Sequence, residues 1–190
     1  RFSFCAIISF CFFVVHRDTP FTKKVVSETR CSHTIIHYII KFKKVQVFFL
    51  KLKNTPKPDD AADGLAAALC MYARDKGEVN IAFQMPLYPM IDNLDTESSK
   101  DNHAPVWNTK LNHFGWKKYL GDLYGKDVPP YAAAARQTDY SNLPPAYTFV
   151  GDIEPFYCET LTYIDNLKSA GIEAKVDVYQ NCFHAFDMLT

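Results

Sequence analysis

Two side chains near the C-terminus could do proton chemistry together. Glu154 follows the β-rich run Tyr-Thr-Phe-Val at 147–150, and His184 follows Ala-Lys-Val-Asp-Val-Tyr at 174–179. Each stands just past the end of a strand-like stretch. In an open parallel sheet the carboxyl ends of the strands share one edge, and ligands bind along that edge. An acid and an imidazole placed there can be two members of a catalytic triad, the acid orienting the imidazole and the imidazole moving a proton. Asp152 is a second candidate for the acid. A purely structural reading also exists, in which Glu154 caps the helix that follows it.

The elements that must position this pair are legible as a pattern. Phe156, Thr160, Tyr163 and Leu167, with Ile164 beside them, mark one helix face, and Gly171 ends it. Val176 and Val178 alternate with Lys175, Asp177 and Tyr179, which predicts a strand with one buried face. Upstream, Leu65, Ala68, Leu69 and Tyr72 fall at helical spacing, with Gly77 as a C-terminal stop. Residues 81–88 read as a further strand, with Pro86 and Pro89 marking its end or an edge. Residues 92–113 read as a long polar loop, a lid or a binding segment. Trp107, Phe114, Trp116, Tyr119 and Leu120 suggest a short aromatic helix that either packs the loop down or lines an apolar pocket. The order of helix, strand, loop, strand, helix and strand implies right-handed crossovers and a mostly parallel sheet.

Composition divides the chain at residue 57. Residues 1–57 carry 11 Lys and Arg against 2 Asp and Glu, have no glycine, and hold 9 of the 15 phenylalanines. Residues 58–190 carry the other 10 basic and 19 acidic residues and all 7 glycines. The formal net charge of zero gives no bias toward nucleic acid or membrane. The lysines at 41, 43, 44, 51 and 53 lie among β-rich residues without a nucleic-acid motif and suit a protected sheet edge. The apolar run 2–15 is shorter than the roughly twenty residues of a membrane helix, so a buried element is expected there and a membrane or secretory role carries less weight. The scattered cysteines Cys5, Cys11, Cys31, Cys70, Cys158 and Cys182 show no metal spacing and point to reduced thiols in a cytoplasmic setting.

From about residue 60 to 189 the chain resembles the C-terminal half of an α/β-hydrolase, in the acetyl-esterase branch related to hormone-sensitive lipase. The resemblance rests on several motifs in the family's order. These are Gly64-Leu-Ala-Ala-Ala, Phe83-Gln-Met-Pro-Leu-Tyr-Pro-Met, Trp116-Lys-Lys-Tyr-Leu-Gly, Val128-Pro-Pro-Tyr-Ala-Ala-Ala, Val150-Gly-Asp-Ile-Glu-Pro-Phe and Phe183-His-Ala-Phe-Asp. It implies an α/β fold, here a partial one with the N-terminal half missing or replaced. It also implies a serine carboxylesterase acting on small acyl esters without metal or cofactor. By the resemblance, Glu154 is the orienting acid and His184 the general base.

The nucleophile is where the chain departs from the family. The family's G-x-S-x-G elbow stands directly before the Gly-Leu-Ala-Ala helix. Here that place reads Pro58-Asp59-Asp60-Ala61-Ala62-Asp63-Gly64, so Asp60 falls where the serine is expected, and no G-x-S-x-G or HGGG-type oxyanion loop occurs in the chain. Without a serine hydroxyl no acyl-enzyme forms. Each missing oxyanion donor costs about 10²–10³ in rate. The expectation is therefore a family member without esterase turnover. Two alternatives stay open: a non-catalytic binding or interaction module, and a dehalogenase- or epoxide-hydrolase-type enzyme using Asp60 as nucleophile.

Overall fold

The structure, a computed structural model, describes residues 60–77 and 80–188, with side chains from Gly64 onward. The expectations for the apolar run 2–15, the lysine-bearing run 35–52, the boundary at residue 57 and the Asp60 side chain lie outside the described residues. In chain order the elements are α1 (Asp60–Lys76), α2 (Thr109–Leu120), β1 (Ala146–Gly151), α3 (Tyr157–Ser169) and β2 (Ala174–Tyr179). Short 3-10 turns occupy Gly121–Leu123, Ala134–Arg136 and Phe186–Met188.

The organising unit is β1–α3–β2. The strands pair in parallel from Ala146 opposite Ala174 to Gly151 opposite Tyr179. Parallel neighbours cannot be joined by a tight turn, so the chain returns through a helix. α3 buries the face expected of it, since Thr160, Ile164 and Leu167 are fully enclosed, as is Phe156 at its N-cap, and Tyr163 nearly so. Enclosing side chains of this size supplies roughly 1.5–3 kcal/mol each. That burial is what fixes the two strand ends relative to each other.

α1 is covered more completely than its spacing suggests. Beyond Leu65 and Ala68, it also buries Ala66, Ala67, Cys70, Met71 and Ala73, whereas Leu69 and Tyr72 of the expected face are only half-buried. The run of alanines lets neighbouring segments come close on most sides. At Gly64 the approach is tightest, because a Cβ there would lie 1.9 Å from the Met90 carbonyl oxygen. The helix ends as expected at Gly77, at φ +64°, whose N–H donates to the Ala73 carbonyl. Met71, Ile91, Tyr163 and Leu167 meet in one core cluster, while Met90, Trp116, Leu120 and Phe156 meet in a second.

The strand expected over 81–88 is corrected to isolated bridge residues at Ile81 and Gln84, the latter parallel and opposite Ala146. Gln84 N–H donates to Pro145 O, Tyr147 N–H donates to Gln84 O, and Tyr88 N–H donates to Phe149 O. The ladder position between them belongs to Pro86, which has no N–H, so the pairing is interrupted where a strand would continue.

The polar stretch is also shorter and more firmly held than a free lid. α2 begins at Thr109, capped by the Asn108 side chain, which accepts from Leu111 N–H. Ser98 Oγ donates to Pro155 O and accepts from Cys158 N–H, and Asn102 Nδ2 donates to Ile153 O. The serines and asparagines that read as loop composition are the groups that dock this loop onto residues 153–158.

Candidate active site

β1 ends at Gly151, and the next five residues turn sharply before α3 begins. Gly151 is required at this turn: a Cβ on it would stand 2.0 Å from the Cys182 carbonyl oxygen. The histidine loop therefore crosses directly over the end of β1. Ile153 N–H donates to that same Cys182 oxygen, and Asn181 N–H donates to Asp152 Oδ1 at 2.7 Å. Asp152 is thus engaged in holding the loop's backbone, and the imidazole is left to Glu154.

Glu154 is fully buried and uses both oxygens. Oε1 accepts from Gly151 N–H at 2.8 Å, and Oε2 stands 2.6 Å from His184 Nδ1. The N-cap residue Phe156 makes no side-chain cap bond and the first-turn Cys158 N–H is taken by Ser98 Oγ, so the capping reading of Glu154 is replaced by this pairing. With Glu154 as a carboxylate, Nδ1 carries the proton and Nε2 the lone pair. Burial pushes the Glu154 carboxyl above its ordinary value; the bond to His184, that residue's charge and the Gly151 N–H pull it back part of the way.

His184 is only 2% exposed, and its walls are aromatic. Its ring lies 4.6 Å from Tyr88 and 5.0 Å from Phe156, both nearly perpendicular, and 5.9 Å from Trp107. Trp107 is thus the aromatic of the expected pocket lining that reaches the imidazole. Trp116, Tyr119 and Leu120 are core residues instead, and Phe114 points outward at 58% exposure. Local pattern marks Tyr88 and Phe156 as strand and helix-face residues; their place on the imidazole has no signal in it, since it depends on two distant loops meeting.

The structure brings Glu154 and His184 together. It places Asp60 as the first residue of α1, with its side chain outside the described residues. Among the described residues, no three His, Cys, Asp or Glu side chains form a metal-binding group, and no helix is long and apolar enough to cross a membrane.

A second buried glutamate escaped the sequence reading. Glu159, in the first turn of α3, accepts from Ile91 N–H at 2.7 Å and from Asp92 N–H at 3.0 Å through the same oxygen. Asp92 in turn receives Arg136 Nη2 at 2.6 Å. Burial holds the Glu159 carboxyl well above the usual carboxylate range.

The sequence profile of the alpha/beta hydrolase fold matches residues 60–188. The chain is 28% identical over 130 residues to esterase LipI of Mycobacterium tuberculosis, an alignment covering 67% of this chain and 41% of LipI. Carboxylesterase NlhH of the same species is 24% identical over 132 residues. Among solved structures, a bacterial heroin esterase superposes with a TM-score of 0.65 at 34% identity, covering 68% of this chain and 43% of that one. Esterase LipW of Mycobacterium marinum gives a TM-score of 0.63 at 28% identity, covering 68% and 40%. The chain spans about two fifths of the length of the curated relatives it matches. A βαβ unit with its acid and histidine at adjoining strand ends, inside a match that runs from residue 60 to 188, places this chain in the α/β-hydrolase fold family, in its esterase branch and with part of that fold.

Proposed function

We propose that residues 60–188 are the acid–base end of a carboxylic-ester hydrolase for small acyl esters, with His184 as general base and Glu154 as its orienting acid. The observation that carries this reading is the buried 2.6 Å contact between Glu154 Oε2 and His184 Nδ1. Such a carboxylate fixes the tautomer that leaves the lone pair on Nε2 and stabilises the imidazolium formed when Nε2 takes a proton. In the reaction, Nε2 would accept the proton of a nucleophilic hydroxyl as its oxygen attacks the ester carbonyl. The same proton would then pass to the departing alcohol. The partly buried Trp107 beside the imidazole suits an uncharged, compact acyl or alcohol group.

The chain as it stands presents Asp60, not serine, at the position where the family's nucleophile falls. An aspartate has no hydroxyl for His184 to activate, so the chain by itself is expected to release p-nitrophenol from p-nitrophenyl acetate no faster than its His184→Ala variant. A clear excess for the unmodified chain would show a working nucleophile and sink the claim that turnover is absent.

A further inference from the structure

Tyr88 and Trp107 reach the imidazole from outside the βαβ unit, and of these two Tyr88 holds its backbone in a costly conformation. Its φ is +31°, outside the regions a bulky L-residue adopts freely, and such strain persists only where the surroundings impose it. Two hydrogen bonds and two ring contacts hold it here. Tyr88 N–H donates to Phe149 O at 3.1 Å, fastening the residue to β1. Its ring stands 5.5 Å from the Phe149 ring at 80° and 4.6 Å from the His184 ring at 76°. Its hydroxyl donates to Asp187 Oδ1 at 3.2 Å, on the turn that follows the histidine. Ala185, between His184 and that turn, is itself left-handed at φ +61°.

The geometry points to Tyr88 as a positioning residue that holds the plane of the His184 imidazole so that Nδ1 stays aligned on Glu154. The inference rests on the acid–base reading above. An imidazole hydrogen-bonded through Nδ1 can still rotate about that bond; a nearly perpendicular aromatic ring packed 4.6 Å from it opposes the rotation. Nearly perpendicular rings at this separation are in the favourable range for aromatic pairs. The hydroxyl contact is long for a bond to a carboxylate, so the ring is the main restraint and the Asp187 contact a secondary one. Tyr88 never meets the reacting atoms in this role. It acts through His184.

The test uses the full chain, labelled with ¹⁵N-histidine, and follows exchange of the His184 Nδ1 proton with water; a His184→Gln variant assigns the line. Tyr88→Leu is expected to speed that exchange roughly three- to tenfold, the size of an aromatic pair's contribution. Tyr88→Phe keeps the ring and is expected to restore at least half of the protection. The backbone amides of β1, such as Val150, serve as the internal control and should keep their exchange rates in both variants. If Tyr88→Leu leaves the Nδ1 proton unchanged, or speeds it and the β1 amides by the same factor, Tyr88 is only a structural residue and the inference is overturned. If the unmodified chain shows no protected Nδ1 proton, the Glu154–His184 pair itself fails, and that outcome is recognisable before any Tyr88 variant is made.

Discussion

Two loops in this molecule are held by two buried glutamates five residues apart, and their construction runs parallel up to one point. The loop at 180–188 crosses β1 at Gly151, where a Cβ would meet Cys182 O at 2.0 Å; the loop at 88–92 crosses α1 at Gly64, where a Cβ would meet Met90 O at 1.9 Å. Each loop contains non-glycine backbone at positive φ, at Asn181 and Ala185 in the first and at Tyr88 in the second. Each is fastened by a buried carboxyl group: Glu159 accepts the Ile91 and Asp92 N–H groups of its loop, whereas Glu154 accepts Gly151 N–H from β1 and reaches its loop through the His184 ring. The two carboxylates differ in their second oxygen. In Glu154 it meets His184. In Glu159 it is buried without a hydrogen-bond partner. One carboxyl group is fully engaged beside an imidazole, while the other is a staple that leaves a polar atom unsatisfied. Stability alone does not require the first arrangement, since the second holds its loop without an imidazole.

The parallel between the loops can be broken first at their glycines. Gly151→Ala and Gly64→Ala each place a methyl group against backbone that cannot move aside cheaply. Both should therefore cost about 3 kcal/mol or more, read as a shift in the midpoint of urea unfolding. They should part company in the histidine's proton line. Gly151→Ala displaces Cys182, two residues from His184, and should abolish the protected Nδ1 proton. Gly64→Ala loosens the other loop and should weaken it only through Tyr88. Equal loss of the line in both variants would mean the two loops form one rigid assembly and the comparison fails.

How much of this was legible follows from where each signal lives. The βαβ unit was legible because its periodicities are local: Phe156, Thr160, Tyr163, Ile164 and Leu167 on one face, and Val176 and Val178 alternating along β2. The acid and the histidine were legible because strand ends are where an open sheet gathers chemistry. The segment 81–88 misled because its β-rich composition hides the consequence of Pro86, a missing N–H at the one ladder position that would have continued the strand. The loop before α2 misled because Ser98 and Asn102 look like solvent-facing residues, whereas their side chains bind the carbonyls of Pro155 and Ile153. Tyr88, Glu159 and Gly151 were beyond reach for a common reason. Their roles depend on partners at Phe149 and His184, at Ile91, and at Cys182, and no window of sequence contains both members of those pairs.

The second oxygen of Glu159 makes a testable difference in pH dependence. A carboxyl that holds its proton more tightly folded than unfolded stabilises the fold at low pH. That contribution is lost as pH rises from the ordinary value of 4.5 toward the raised folded value. Glu159→Gln keeps an oxygen to accept from Ile91 and Asp92 but cannot ionise. The variant should match the unmodified chain near pH 4 and gain on it at about 1.4 kcal/mol per pH unit above 4.5, until the folded carboxyl ionises. Urea unfolding at pH 4 and pH 7 reads the difference. A variant that falls behind as pH rises would show that the two amides hold Glu159 as an anion, and the contrast with Glu154 would disappear.

The smallest effect is expected two residues before Glu154. Asp152 is the other acid in the turn, and in sequence it competes with Glu154 for the orienting role. Its Oδ1 accepts from Asn181 N–H at 2.7 Å, a bond an asparagine oxygen can also accept. Asp152→Asn should therefore change stability by less than about 0.5 kcal/mol and leave the exchange of the His184 Nδ1 proton as it is. Glu154→Gln, which keeps an acceptor for Gly151 but loses the carboxylate's charge beside the imidazole, should instead abolish that proton's protection. If the asparagine at 152 unsettles the histidine as much as the glutamine at 154 does, the charge that orients His184 is shared across the turn and does not belong to Glu154.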